Sequence, residues 1–181
     1  MTTEGQKVVC VFGGYRPKRG ELEYELAYGL GRRIAESGWA LLNGGYGGTM
    51  EAGARGAREQ GGRVIGVTLA SFTKGHNQLS HEIHHAADLW QRIQWMIDKS
   101  DAYIALPGNT GTLAEVGMAW ECVFKGFIRP RPLILLTEFW QPLYEMMVRP
   151  RGGKAACDGI IRVEPDVESA VRYLGNLWKG Q

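Results

Sequence analysis

The chain has 181 residues, a little more than one typical domain, so a single unit spanning 1–181 is expected, large enough to bury a core without staples. Its 21 lysines and arginines against 19 acidic residues leave a formal charge of +2, with both signs spread along the chain, which excludes a charged tail and gives no electrostatic case for nucleic acid. An apolar fraction of 44% and a charged fraction of 22% exclude disorder, and no apolar run approaches the roughly 18 residues of a membrane span.

Lys7 to Phe12 is a short apolar, β-branched run stopped by Gly13-Gly14, and reads as a buried strand. Leu22 to Ser37 carries apolar residues at helical spacing and ends at Gly38, a good residue to follow a helix. Trp39 to Leu42 reads as a second strand, leading into the loop Asn43-Gly44-Gly45-Tyr46-Gly47-Gly48. Thr49 to Gln60 is an Ala-rich helix closed by Gly61-Gly62, and Arg63 to Thr68 a third strand. Leu69 to Ala87 is polar, holds all the histidines, and reads as a long loop with room for one short strand. Asp88 to Ser100 is helical, with Asp88 and Gln91 spaced as a capping box. Asp101 to Leu106 is a fourth strand, Thr112 to Phe127 a long helix, Pro132 to Leu136 a fifth strand and Phe139 to Val148 a helix. The segment Arg149 to Lys154 reads as a loop, Ile160 to Val163 as a last strand and Val167 to Leu177 as a last helix. Strands alternating with helices imply βαβ crossovers: an α/β, Rossmann-like domain with a parallel sheet of about five to seven strands and helices on both faces.

Glycine is the unusual residue, at 26 of 181, near twice the average usage of about 7%. The glycines concentrate at junctions that follow strands: Gly13-Gly14, Gly44-Gly45 with Gly47, and Gly108 with Gly111. In open parallel sheets ligands bind at the carboxyl ends of the strands. Bare amides running into a helix N-terminus there form an anion site. Three such clusters on one edge favour a phosphate-bearing ligand over turns that are merely tight. Their spacing fits neither the G-x-G-x-x-G of a dinucleotide fold nor a P-loop.

The segment Pro107-Gly108-Asn109-Thr110-Gly111-Thr112-Leu113-Ala114-Glu115 runs from a buried strand through a Gly-rich turn into a helix whose first turn carries a carboxylate. It resembles the P-G-G-x-G-T-x-x-E motif of LOG-type proteins, which are nucleoside-monophosphate phosphoribohydrolases; Pro107, Gly108, Gly111, Thr112 and Glu115 match, and Asn109 stands in place of the second glycine. Asparagine is the residue other than glycine that best tolerates a positive φ. The resemblance runs from about Val8 to Phe139 and includes the Gly44–Met50 loop. The family's R-K-x-x-M motif is matched at Arg92 and Met96, with Ile93 in the lysine's place, and its usual first acid after G-T is Ala114.

The resemblance implies hydrolysis of the N-glycosidic bond of a nucleoside 5′-monophosphate of the cytokinin riboside or AMP type, without a cofactor. In that reading Arg92 and Glu115 are the catalytic pair, and Met96 lines the substrate pocket. Amides at Gly13, Gly14, Gly44, Gly45 and Gly47, with those from Gly108 through Asn109, Thr110 and Gly111 to Thr112, hold the nucleotide and its phosphate. It implies a homodimer as well. The chain is similar to molybdenum-cofactor carrier proteins too, so the alternative is binding of a nucleotide or pterin-type cofactor without cleavage.

The residues themselves leave both key side chains two readings. Arg92 lies about 40° outside the apolar stripe Leu89, Ile93, Met96, Ile97, so it either snorkels at the surface or points into a site. Thr112-x-x-Glu115 has the spacing of a capping box, which would give Glu115 only a structural task. Beyond it, Leu113, Val116, Trp120, Val123 and Phe127 form one apolar face, and Met118 and Cys122 a second, as expected of a helix sandwiched between its own sheet and a second subunit. The histidines 76, 81, 84 and 85 have no nearby Cys or Asp cluster, and no metal is expected. Cys10, Cys122 and Cys157 are too few and too scattered for a disulfide framework; the first two read as buried hydrophobes. Arg129-Pro130-Arg131 reads as a solvated loop. The N-terminus lacks the order of a signal peptide, and a cytoplasmic protein is expected.

Overall fold

The structure, a computed structural model, describes residues 5–72, 75–148 and 159–180. Seven strands form one parallel sheet: β1 Val8–Phe12, β2 Ala40–Asn43, β3 Val64–Leu69, β4 Glu82–Ala86, β5 Ala102–Ala105, β6 Leu133–Leu136 and β7 Ile161–Glu164. Six α-helices accompany them: α1 Leu22–Glu36, α2 Thr49–Glu59, α3 Leu89–Asp98, α4 Thr110–Phe124, α5 Gln141–Val148 and α6 Val167–Lys179, of which α6 follows β7, while β3 passes to β4 without an α-helix. The strand order is β4-β3-β2-β1-β5-β6-β7, so the chain winds outward in both directions from β1. The crevice at the carboxyl ends of β1 and β5 is the switch point where such sheets take their ligands.

Both faces of the sheet are covered, which is why its strands read as continuous apolar runs rather than alternating ones. Val9, Val11, Leu41 and Ile104 pack under α1, α2 and α6; Cys10, Phe12, Leu42 and Tyr103 pack under α3 and α4. Not all the glycine serves loops. A β-carbon on Gly31 of α1 would collide with the backbone of Gly53 in α2, so these two helices cross with their backbones in near contact.

The Leu69–Ala87 stretch holds the one short strand it has room for: β4 pairs with β3 from Ile65↔Glu82 to Leu69↔Ala86. It is an edge strand with a half-exposed, polar sequence, so it shows neither an apolar run nor a clean alternation. Its histidines are engaged one by one: His84 stacks on Trp95, His85 Nδ1 meets Thr68 Oγ1 at 2.8 Å, and His81 Nδ1 accepts from the Val64 N–H. Two expectations need correction. The first is α4, which begins at Thr110 rather than Thr112 and ends at Phe124. Leu113 and Phe127, expected on its core face, are 44% and 74% exposed. The second is Arg131: Arg129 and Pro130 are exposed as expected, with Arg129 reaching Asp101 at 2.9 Å, but Arg131 is half-buried and donates to the Tyr103 hydroxyl at 3.1 Å. Asp88 does cap α3, accepting from the Gln91 N–H at 2.9 Å. Cys10 is buried, but Cys122 is only half-buried. Cys157 and the Arg149–Lys154 loop lie outside the described residues.

Candidate active site

Four connections converge at the switch point: the β1–α1 loop, the β2–α2 loop, the end of β3 and the β5–α4 turn. They enclose a cavity of about 770 Å³, the size of a typical small-molecule site. Gly13 and Gly14 line one side, Gly47 a second, and Asn109, Thr110, Gly111 and Thr112 a third, with Arg92 and Glu115 also on its surface.

Arg92 is not at the surface. It is 8% exposed, while Leu89 of the supposed buried stripe is open to solvent. Its Nε donates to the Val67 carbonyl of β3 at 2.8 Å, and its Nη1 to Glu115 Oε1 at 3.0 Å. Glu115, 6% exposed, returns to no cap. Because α4 starts two residues earlier than the sequence pattern indicates, Thr112 is not the capping residue, and the Glu115 carboxylate meets Arg92 across the gap between α3 and α4. Burial pushes the Glu115 carboxyl up to about 7, with the Arg92 charge and hydrogen bond pulling it down. A carboxyl poised near neutrality can take up and give back a proton at working pH.

The glycines divide by task. Gly44 and Gly45 stand behind the cavity wall. A β-carbon on Gly44 would collide with Arg92 Nη2 and lie 2.6 Å from Met50 Sδ, so Gly44 makes room for the arginine. Gly45 takes φ 73°, and its N–H donates to Asn43 Oδ1 at 2.8 Å. Asn43 also donates to the Met50 carbonyl at 2.8 Å, stapling the two ends of the loop. Gly108 gives way to the Thr112 side chain and faces a neighbouring cleft, shared at its rim by Arg16, Asn109 and Thr110. Asn109 precedes α4 at φ −98°, an extended conformation open to any residue, so the exchange for glycine has no backbone cost and asparagine's tolerance of positive φ is not called on. Its side chain makes no cap, leaving the first amides of α4 without an intrahelical partner at the cavity.

Met96, expected in the substrate pocket, is fully buried among Cys10, Phe12 and Tyr103. Helical geometry places it one turn beyond Arg92, beneath the site rather than in it. Several wall residues escaped the sequence reading: Tyr15 and Arg16 after Gly13-Gly14, Tyr46 within the second glycine loop, and Leu69 and Phe72 at the end of β3. Aromatic residues lodged inside glycine loops were the available signal.

The SLOG cluster4 family model matches residues 6–152. The chain belongs to that family. This SLOG cluster4 chain is similar to a cytokinin riboside 5′-monophosphate phosphoribohydrolase of Rhodococcoides fascians, 39% identical over 93% of this chain and 89% of the relative. A protein of the same description from Mycobacterium tuberculosis is 35% identical over 73% of this chain and 71% of its own. Among solved structures, the molybdenum cofactor carrier protein of Chlamydomonas reinhardtii superposes with a TM-score of 0.76 at 25% identity, over 96% of this chain and 99% of that one. The molybdenum cofactor binding protein of Rippkaea orientalis shares the fold, with a TM-score of 0.77 at 24% identity over 96% and 98% of the two chains. The SLOG cluster4 chain departs from the LOG-type motifs at Ile93, which is core, at Ala114, which is exposed on α4, and at Asn109; of these, only Asn109 borders the cavity.

Proposed function

We propose that the chain hydrolyses the N-glycosidic bond of a nucleoside 5′-monophosphate, giving free base and ribose 5-phosphate. The observation that carries this reading is the buried Arg92–Glu115 pair on the wall of the same cavity as the uncapped start of α4. The amides of Thr110, Gly111 and Thr112 suit a phosphate, through their unpaired N–H groups and the helix dipole. Breaking the C1′–N bond leaves positive charge on the ribosyl centre, as in glycoside cleavage generally. The Glu115 carboxylate offsets that charge, takes a proton from the attacking water and gives it back to the nitrogen of the departing base, so that water is the only other reactant consumed. Arg92 orients the ribose and holds the carboxylate in line. The relatives' activity supports the reaction class and makes AMP and cytokinin riboside monophosphates the first substrates to test.

Incubation of the pure protein with AMP is expected to release adenine, detected by chromatography, and AMP should raise the melting temperature well above the shift given by adenosine, since a ligand bound to the native state alone stabilises it. Equal shifts from nucleotide and nucleoside would remove the phosphate site. The likeness to the Chlamydomonas carrier protein favours a second reading, binding of a nucleotide or a molybdenum cofactor without cleavage; a nucleotide that binds and is never cleaved decides for it. Among the described residues no helix is long and apolar enough to cross a membrane.

The reading includes a symmetric homodimer through the side of α4 that carries Ala114, exposed, and Met118 and Cys122, both half-buried. In such an isologous patch Met118 meets its own copy's surface. Met118→Asp is expected to yield monomers in sedimentation, because a buried unpaired carboxylate is costly. Wild-type protein that sediments as a monomer at micromolar concentration would overturn the dimer.

A further inference from the structure

We infer that Tyr46 is a positioning residue for this site: its ring is the wall that holds the Arg92 guanidinium in line with Glu115. The inference rests on the reading of Arg92 and Glu115 as the working pair.

The guanidinium is fixed on three sides. Val67 takes its Nε at 2.8 Å, Glu115 takes Nη1 at 3.0 Å, and Gly44 leaves just enough space for Nη2. None of these stops it from tipping into the cavity. The Tyr46 ring does: its centroid lies 5.7 Å from Arg92 Cζ, within the range at which the electron-rich face of an aromatic ring attracts a cation. The cavity wall holds both residues, so a shift of one is felt where substrate sits.

The ring is itself held at both ends. The Leu69 N–H, at the end of β3, donates to the Tyr46 hydroxyl at 2.8 Å. On the backbone side, Asn77 Nδ2 donates to the Tyr46 carbonyl at 2.7 Å, the Asn77 N–H to the Gly45 carbonyl at 2.8 Å, and Asn77 Oδ1 accepts from the Leu79 N–H at 3.1 Å. The polar stretch before β4 thus pins the second glycine loop, and the loop pins the arginine. A tyrosine that only sealed the strand end would need its hydroxyl alone; one that positions Arg92 needs its ring.

Loosening Arg92 weakens the one nearby charge that favours the ionised form of Glu115, whose carboxyl burial already lifts. Apart from Arg92 on α3, the ionisable groups around that carboxylate are Cys10 on β1, in electrostatic reach, and, around the cavity, Tyr15, Arg16 and Tyr46. β5 adds only Tyr103, whose hydroxyl is turned to the Ile97 carbonyl.

The test compares Tyr46→Leu with Tyr46→Phe in the full chain, following kcat/KM for AMP against pH, melting temperature, and titration of the Glu115 carboxyl by carbon-13 NMR. Tyr46→Leu is expected to lower kcat/KM about ten-fold and to move both the acid limb of the profile and the Glu115 titration to higher pH. Tyr46→Phe, which keeps the ring, should restore both to within about two-fold and a few tenths of a pH unit of wild type. A lowered melting temperature with the Glu115 titration unmoved, or Phe and Leu variants that behave alike, would overturn the positioning role. Wild-type protein that releases no base would defeat the hydrolase reading instead, and the NMR titration still decides the part played by Tyr46.

Discussion

Glu115→Gln is expected to cut base release from AMP by about 10²–10⁴-fold, the usual contribution of a positioned acid or base. Glutamine keeps the shape of the side chain and an oxygen for Arg92 Nη1, which now lies 3.0 Å from Glu115 Oε1. It cannot offset a developing ribosyl cation or accept a proton from water. Stability separates this loss from a damaged fold. Burial lifts the Glu115 carboxyl from an ordinary 4.5 to about 7, so the folded state binds an extra proton between those values. The stability this group contributes is complete below pH 4.5 and is lost as pH rises through 7, an effect on the order of 3 kcal/mol. Glutamine carries no charge at any pH and escapes that loss. Wild type should therefore lose more stability than the variant between pH 5 and pH 8 in denaturant unfolding. Parallel stability profiles would show that burial does not hold the carboxyl up. A variant that turns over AMP as fast as wild type would reduce Glu115 to a structural partner of Arg92.

That pairing also marks where reading from the sequence stops. The alternation of apolar runs with helical spacing is a local signal, and it located β1 and α1, each within a residue or two of its observed bounds. β4 was legible only as room for a short strand, because an edge strand with one solvated side needs no apolar pattern, and the histidines in and beside it engage Thr68, Trp95 and the Val64 amide. Thr112 and Glu115 have capping-box spacing, yet whether a helix starts at residue 110 or 112 depends on how the preceding turn leaves β5, which no local pattern encodes. Arg92 shows the same limit. Its angular position put it at the rim of the apolar stripe, and only the approach of α4, with an opposite charge at the right height, turns that rim into a buried site. Gly44 and Gly45 were legible as an essential loop. The task of Gly44, making space for an arginine that lies 48 positions further along the chain, was not.

Gly44 therefore provides the sharpest separation of stability from function. Its backbone is not in the left-handed region, so alanine is conformationally acceptable there. The added methyl would collide with Arg92 Nη2 and press on Met50 Sδ at 2.6 Å. Both are the far ends of long side chains rather than backbone, so the clash resolves by pushing the guanidinium out of its place and leaves the sheet alone. A displacement of about 1 Å at a working group can cost on the order of 10²-fold in rate. Gly44→Ala is thus expected to lose about that much kcat/KM for AMP at a stability cost of about 1 kcal/mol, toward the low end of overpacking changes. Gly48→Ala supplies the contrast. There φ is 67°, and a β-carbon would meet the Gly14 and Tyr15 backbone, neither of which is a free side-chain end. It should therefore lower the melting temperature first, with activity following the folded fraction. Kinetics and thermal unfolding of the two variants, measured side by side, check the distinction. If Gly44→Ala kept wild-type turnover, the position of Arg92 would not matter to the chemistry; if its activity fell only in step with unfolding, Gly44 would serve the loop and not the arginine.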